Sequence, residues 1–221
     1  KWDARVEGQL WHEALARLTR HLWREKQDLA WLDDAELRKV VEKIWQATAE
    51  EYAPTYAHVV ESYSYRIRRM GRGFQRLVMV LAEHARRGQF RPIAVEASFG
   101  SSQRLPAWEI PFKEHNSLHL RGRIDRIEVA RVDDTLYLRV IDFKRGSRKL
   151  DLADVYQGFS LQLLAYLGAL MDNKEAFLEG NESTLLVMPA GALYFPLSEP
   201  LVKLEGPLDE KDLAAKLMAQ Y

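Results

Sequence analysis

The run Leu136-Tyr137-Leu138-Arg139-Val140-Ile141-Asp142-Phe143 is apolar at every position except Arg139 and Asp142. A strand that alternates apolar and polar residues covers one face, but a strand apolar at successive positions must be covered on both. This segment therefore predicts an interior strand of a layered domain of helices and sheet. A carboxylate in such a strand costs several kcal/mol in desolvation unless it is paired or binds an ion. Asp142 and Lys144 stand two positions apart, so their side chains leave one face of the strand and can reach one centre. The pair also reads as a satisfied ion pair at a strand end, so residues elsewhere must decide between the two.

Around that strand the periodicity changes along the chain. Trp11, Leu15, Leu18 and Leu22 lay one apolar stripe on a helix from about Val6 into the mid-twenties. Asp33 and Glu36 make a D-x-x-E start signal for a second helix, through Leu37, Val41, Ile44 and Thr48 to a stop at Pro54. A third is predicted over residues 66–87, with Ile67, Met70, Phe74, Leu77, Val78 and Leu81 inward and Gly88 ending it. Strand character begins after Pro92, over Ile93 to Phe99, and a polar stretch follows to about Asn116.

Leu118, Leu120, Gly122 and Ile124 then alternate with His119, Arg121, Arg123 and Asp125 as one strand. The apolar parity next slips to Ile127 and Val129, which predicts a bulge near Asp125. Asp133-Asp134 is a turn into the central strand. A single helix is predicted from about Asp154 to Met171, and two short strands, 185–188 and 192–197, around Pro189-Ala190-Gly191. Helices, strands, helix and strands in that order predict an α/β (α+β) fold with one mixed central sheet. No repeat or long linker divides the chain, which reads as one domain. Residues 1–90 are its mainly helical part, 91–200 its sheet core and 201–221 a tail.

The hairpin around Asp133-Asp134 places Asp125 and Asp142 on adjacent antiparallel strands. Paired carboxylates are what a hard cation such as Mg²⁺ accepts. Such an ion lowers the pKa of its water and neutralises charge on a phosphate, and Lys144 could orient that water or stabilise the developing charge. Cysteine is absent, which excludes disulfides, thiolate zinc sites and cysteine-ligated iron–sulfur clusters from this chain. Lysine plus arginine, at 32, equals aspartate plus glutamate, also 32, so an anion-binding surface must come from local segregation of charge. Arg121, Arg123, Arg145, Arg148 and Lys149 flank the candidate site and suit phosphate contacts. Arg66, Arg68, Arg69, Arg72 and Arg76 surround one helix and read mostly as a solvated face. There is no apolar run long enough to span a membrane and no leader pattern, which suits a soluble cytoplasmic protein. There is also no G-x-x-x-x-G-K-[ST] phosphate loop, so ATP hydrolysis would lie elsewhere.

Several segments together resemble a known family. They are Gly122-Arg123-Ile124-Asp125-Arg126-Ile127, Ile141-Asp142-Phe143-Lys144, Gln162-Leu163-Leu164-Ala165-Tyr166-Leu167 and, upstream, Gly8-Gln9-Leu10-Trp11-His12-Glu13-Ala14-Leu15. The pattern is similar to that of the RecB-type nucleases of the PD-(D/E)xK superfamily. Val95-Glu96 with Phe99-Gly100, and Pro189-Ala190-Gly191-Ala192-Leu193-Tyr194-Phe195, resemble the AddB branch in particular. The likeness runs from about Gly8 to Pro200. It implies a restriction-endonuclease-like core with a mixed sheet flanked by helices and an N-terminal helical elaboration.

By position, the resemblance implies metal ligation by His12, Asp125, Asp142 and the Phe143 carbonyl, with Lys144 catalytic. Gln162 and Tyr166, one helical turn apart, would hold the DNA and support the site. Taken residue by residue, a histidine on a helix is more often a surface or capped group than a ligand. Gln162 and Tyr166 could be satisfied polar groups at a helix–sheet junction, and Glu96 is either a carboxylate behind the ligands or simply solvated.

The function implied is a Mg²⁺-dependent DNA exonuclease domain, with Mn²⁺ able to substitute, in a helicase–nuclease of double-strand break repair and recombination. It would act on the 5′-ended single strand leaving the motor, with an AddA-like partner. The alternative is a strand-guiding module that keeps the fold without catalysis. Full-length members of the branch carry four cysteines that hold an iron–sulfur cluster. This chain has none, and it reads either as a fragment of a longer protein or as a relative that lost the cluster.

Overall fold

The structure is a computed structural model that describes residues 2–56, 62–100, 105–112, 116–146, 150–177, 185–197 and 212. The chain forms two compact units. The first contains the described residues of 1–88, 144–148 and 195–221, and the second those of 89–143 and 149–194.

The first unit is built on three long helices. Helix α1 (Ala4–Arg24) starts where the Asp3 carboxylate accepts the backbone N–H groups of Arg5 and Val6. Its predicted stripe of Trp11, Leu15, Leu18 and Leu22 is buried. Helix α2 (Asp34–Tyr56) begins as its start signal predicts, with Asp33 Oδ1 accepting from the N–H groups of Ala35 and Glu36 at 2.8 and 2.9 Å. Glu36 does not reach back; it takes a hydrogen bond from Gln27. Pro54 lies inside α2 rather than ending it. A proline so near the last residue of a helix removes a single hydrogen bond.

Helix α3 (Tyr63–Arg87) starts three residues earlier than predicted. Phe74, Leu77, Val78 and Leu81 are buried on it, while Ile67 and Met70 are only half-buried. Trp11, Trp45 and Phe74 meet at ring centroid distances of 5.2–6.2 Å, joining all three helices. The Tyr63 hydroxyl donates to the Ala49 carbonyl at 2.9 Å.

The second unit is organised by a four-stranded sheet in the order β1-β4-β5-β6. Its strands are β1 (Arg91–Phe99), β4 (Gly122–Val132), β5 (Thr135–Lys144) and β6 (Leu186–Pro196). Strands β1 and β5 both pair antiparallel with β4. Strand β6 runs beside β5 in the same direction, since Leu186 N–H bonds the Asp134 carbonyl at its start and Leu197 N–H the Lys144 carbonyl at its end. The sheet is therefore mixed, as the sequence predicts. Val132 pairs with Thr135 across Asp133 and Asp134, and Asp133 takes φ +50°, the left-handed conformation such two-residue hairpins require. Ile124, Ile127, Leu138 and Val140 share a core with Ala169 and Leu170, so helix α5 (Gln162–Asp172) covers one face of the sheet.

Four expectations are corrected. Residues 117–125 are not one strand. Ser117–Leu120 (β3) pairs with Trp108–Pro111 (β2) in a separate two-stranded sheet, and β4 starts afresh at Gly122. Second, β4 passes Asp125 without a shift in its pairing to β1; the register shift lies on β1, between Pro92 and Ala94. Proline cannot donate to the ladder, which explains why the irregularity falls beside Pro92. Third, the predicted helix over 154–171 is two, α4 (Leu152–Tyr156) and α5, because Gly158 takes φ +82°. Asp151 caps α4 through the Ala153 N–H at 2.7 Å. Fourth, the strands expected on either side of Pro189-Ala190-Gly191 form the single strand β6, whose place at the sheet edge tolerates a proline.

Helix α5 approaches β2 closely enough that a Cβ on Gly168 would lie 2.4 Å from the Trp108 ring. Gly168→Ala is expected to lower stability by roughly 1–3 kcal/mol through overpacking. The denaturation midpoint reads the loss, and trimming Trp108 to Leu in the same chain should recover part of it. Among the described residues no helix is long and apolar enough to cross a membrane.

Candidate active site

Each carboxylate of the candidate site is placed by a strand of the second unit. Asp125 on β4 and Asp142 on β5 are 8% and 2% exposed. The β4–β5 ladder ends with Arg126 opposite Ile141. One step further on, where Asp125 would face Asp142, the Asp125 Oδ2 instead accepts the Phe143 N–H at 2.7 Å. This bond orients the first carboxylate against the backbone that carries the second.

Asp142 Oδ1 accepts from the Gln162 side-chain amide at 3.3 Å, and the same amide donates to the Tyr166 hydroxyl at 2.9 Å. Gln162 is the first residue of α5, so the break at Gly158 delivers it to the sheet. Tyr166 packs edge-on against Phe99 with centroids 6.0 Å apart. It also crowds Gly122, where a Cβ would lie 3.2 Å from the tyrosine ring and 3.0 Å from Phe99. The glycine of the G-R-I-D segment thus makes room for the ring that completes the Gln162–Tyr166 pair.

Lys144 is the last residue of β5, two positions beyond Asp142 and half-buried. Phe143 between them is buried. His12 is half-buried on α1 of the first unit.

Glu96 is the residue that sequence reasoning placed least well. The pairs Val95↔Arg126 and Ala97↔Ile124 set it opposite Asp125 across β1 and β4. A carboxylate oxygen of each lies within 4.8 Å of the other. Glu96 adopts φ +52°, a left-handed conformation that a non-glycine residue holds at a cost of about 1–2 kcal/mol. Its only hint in the sequence is an acidic residue in an otherwise apolar strand. Two acidic groups facing each other repel, and a divalent cation that takes oxygen from both removes the penalty. The donor set of Glu96, Asp125 and Asp142 is all oxygen and suits a hard ion such as Mg²⁺ or Mn²⁺.

The proposed phosphate-contacting cations are dispersed. Arg121 and Arg123 are exposed, and Arg123 Nε bonds Glu96 Oε2 at 2.9 Å. Arg145 is engaged within the first unit by the Glu7 carboxylate and the Ala4 carbonyl. Arg148 and Lys149 lie outside the described residues.

Two adjacent buried aspartates, a lysine two positions beyond the second and a glutamine held against it form the D…D-x-K arrangement of a nuclease. Accordingly, the family model described as the PD-(D/E)XK nuclease superfamily matches residues 1–220, and the chain belongs to that superfamily.

Within it, the chain is similar to proteins named as the B-type subunit of an ATP-dependent helicase/deoxyribonuclease. That of Lysinibacillus sphaericus (strain C3-41) is 36% identical over 220 residues, covering 97% of this chain and 18% of the relative. That of Moorella thermoacetica is 39% identical over 218 residues, covering 96% of this chain and 18% of the relative. That of Oceanobacillus iheyensis is 34% identical over 226 residues, covering 100% of this chain and 19% of the relative. The chain thus spans less than a fifth of the length of these curated relatives.

Proposed function

We propose that this chain is the DNA-cutting domain of a helicase–nuclease, a Mg²⁺-dependent exonuclease that works on a single strand leaving the motor. The observation that carries the reading is the gathering of Asp125, Glu96 and Asp142 on neighbouring strands beside Lys144, in a chain of the nuclease superfamily. The relatives' name supports DNA as substrate and a place in a larger assembly with an AddA-like partner. In such an assembly the 5′-ended strand would be degraded during double-strand break repair and recombination.

Asp125 and Asp142 would hold the ion with His12 and the Phe143 carbonyl, the last two on the strength of the sequence pattern, and Glu96 adds a further oxygen. When bound, Mg²⁺ supplies charge neutralisation at the scissile phosphate and a water of lowered pKa. The Lys144 ammonium orients the attacking water and stabilises the charge that grows on the phosphate oxygens. The new bond joins the water oxygen to phosphorus, the bond from phosphorus to the departing sugar oxygen breaks, and that oxygen takes up a proton. Gln162 holds Asp142 in place and, with Tyr166, steadies the strand. Arg121, Arg123, Arg145, Arg148 and Lys149 would meet backbone phosphates at the approach to the site.

The test is cleavage of end-labelled linear single-stranded DNA with Mg²⁺, Mn²⁺ or EDTA, beside Lys144→Ala. Cutting should need the metal and fall by about two to three orders of magnitude in the variant, as when one group that stabilises transition-state charge is removed. No cutting under any metal, with no Mn²⁺ binding by calorimetry, would leave the strand-guiding alternative in its place.

A further inference from the structure

The chain carries no net charge, so a surface for a polyanion has to be concentrated somewhere. Helix α3 concentrates it. From Tyr63 to Ala82 the helix holds Arg66, Arg68, Arg69, Arg72 and Arg76 and not one acidic residue. At 3.6 residues per turn, Arg68, Arg72, Arg76 and Arg69 fall within an arc of about 100°, over roughly 12 Å of helix. Phe74, Leu77 and Leu81, all buried, occupy the opposite side.

The arginines of the arc are exposed. Among the described residues, no carboxylate pairs with Arg68, Arg69 or Arg72. Elsewhere on the same helices arginines at comparable spacing are neutralised: Arg17 bonds Glu13, Arg87 bonds Glu83, and Arg66 meets Glu7. Like charges three and four positions apart each cost a few tenths of a kcal/mol, so this cluster weakens the helix that carries it unless an anion is supplied from outside. Tyr65 lies within the same arc and is 56% exposed, offering a ring face on which an unpaired base can stack.

We propose that this face of α3 is a phosphate track for single-stranded DNA, separate from the cations that flank the active site. Arg68, Arg69 and Arg72 contact successive backbone phosphates, and Tyr65 favours an unpaired strand over a duplex, whose base faces are covered by stacking. The choice of DNA rests on the nuclease reading above. The track binds backbone without reading sequence, because none of its contacts requires a base edge.

The experiment measures binding of fluorescein-labelled oligothymidylate of twenty nucleotides to the whole chain by anisotropy, in EDTA, across a salt series. Arg68→Gln/Arg69→Gln/Arg72→Gln should weaken binding at low salt by at least tenfold. It should also flatten the slope of log K against log salt by about 2, at roughly 0.7 for each phosphate no longer neutralised on a single strand. Arg68→Lys/Arg69→Lys/Arg72→Lys, which keeps the charge, should restore most of both, and circular dichroism should be unchanged in each variant. Unchanged affinity and slope in the glutamine variant would overturn the proposal. So would loss of heparin binding with oligonucleotide binding intact, which marks a patch for a different polyanion. Because binding is read without metal, a chain that binds as expected but never cuts would retain the track and lose the nuclease reading, and the reverse result would do the opposite.

Discussion

Asp142→Asn is expected to lower metal-dependent cleavage of single-stranded DNA by about three orders of magnitude or more while leaving the protein as resistant to melting in EDTA as the parent. The carboxylate is 2% exposed and shares its surroundings with Asp125 on the neighbouring strand. Two acidic groups kept out of water are held at a cost that an ordinary fold would avoid. Asparagine keeps an oxygen for the Gln162 amide, which bonds Asp142 at 3.3 Å. It removes the charge that a divalent cation needs, and several kcal/mol of transition-state stabilisation with it. Isothermal calorimetry with Mn²⁺ should register the same change as a loss of affinity. A variant that still cuts at parental rate would sink the assignment of Asp142 as a ligand. One that melts well below the parent in EDTA would make the carboxylate structural.

The second large effect concerns a buried carboxylate that has its own cations. Glu128 on β4 is buried and lies opposite Arg139 on β5. It accepts from Arg126 Nε at 2.7 Å and from Arg139 Nε at 2.6 Å. Arg139 also stacks its guanidinium 3.9 Å over the Phe90 ring. Burial alone would raise the Glu128 pKa, but the charges of Arg126 and Arg139 and their hydrogen bonds more than offset it and hold the group below its usual 4.5.

Glu128→Gln strands Arg126, itself buried, and is expected to cost about 3–5 kcal/mol. For a chain of this size that is a fall in Tm on the order of 10 °C. Because the folded pKa lies below the unfolded value, the charged pair stabilises the protein fully above about pH 4.5. That contribution fades as pH drops through the lower, folded value. The variant should lack this part of the acid limb. Replacing the whole triad with apolar residues, Arg126→Met/Glu128→Leu/Arg139→Met, should recover most of the stability. A Glu128→Gln protein as stable as the parent at neutral pH would show that the triad is not an energetic unit.

These two carboxylates show how far residue pattern reaches. Both sit among apolar neighbours on interior strands, and the sequence marks both as anomalies. Only pairing partners separate them: Glu128 faces an arginine across the hairpin, while Asp125 faces Glu96 and stands beside Asp142. Cross-strand register is a property of the assembled sheet, so local pattern cannot tell an ion-paired glutamate from one poised for a metal. Glu96 is the sharpest instance. Its side chain is placed by a left-handed backbone on β1, and nothing in Val95-Glu96-Ala97 foretells a positive φ there.

Residue pattern along the chain suffices for the three long helices, the interior strand, the hairpin at Asp133-Asp134 and the mixed α/β class. These follow from the apolar period and from capping and turn residues, which act over a few neighbours. The same pattern singles out Asp125, Asp142, Lys144 and the turn-spaced Gln162 and Tyr166, because strand alternation and helical pitch are short-range geometry. Only the assembled fold settles the separate β2–β3 sheet, the unbroken β6 through Pro189 and the break that makes Gln162 the head of α5. It alone places Glu96 opposite Asp125 and leaves Arg68, Arg69 and Arg72 without carboxylate partners among the described residues. Each of these depends on what lies across a sheet or around a helix from a residue far away in the chain.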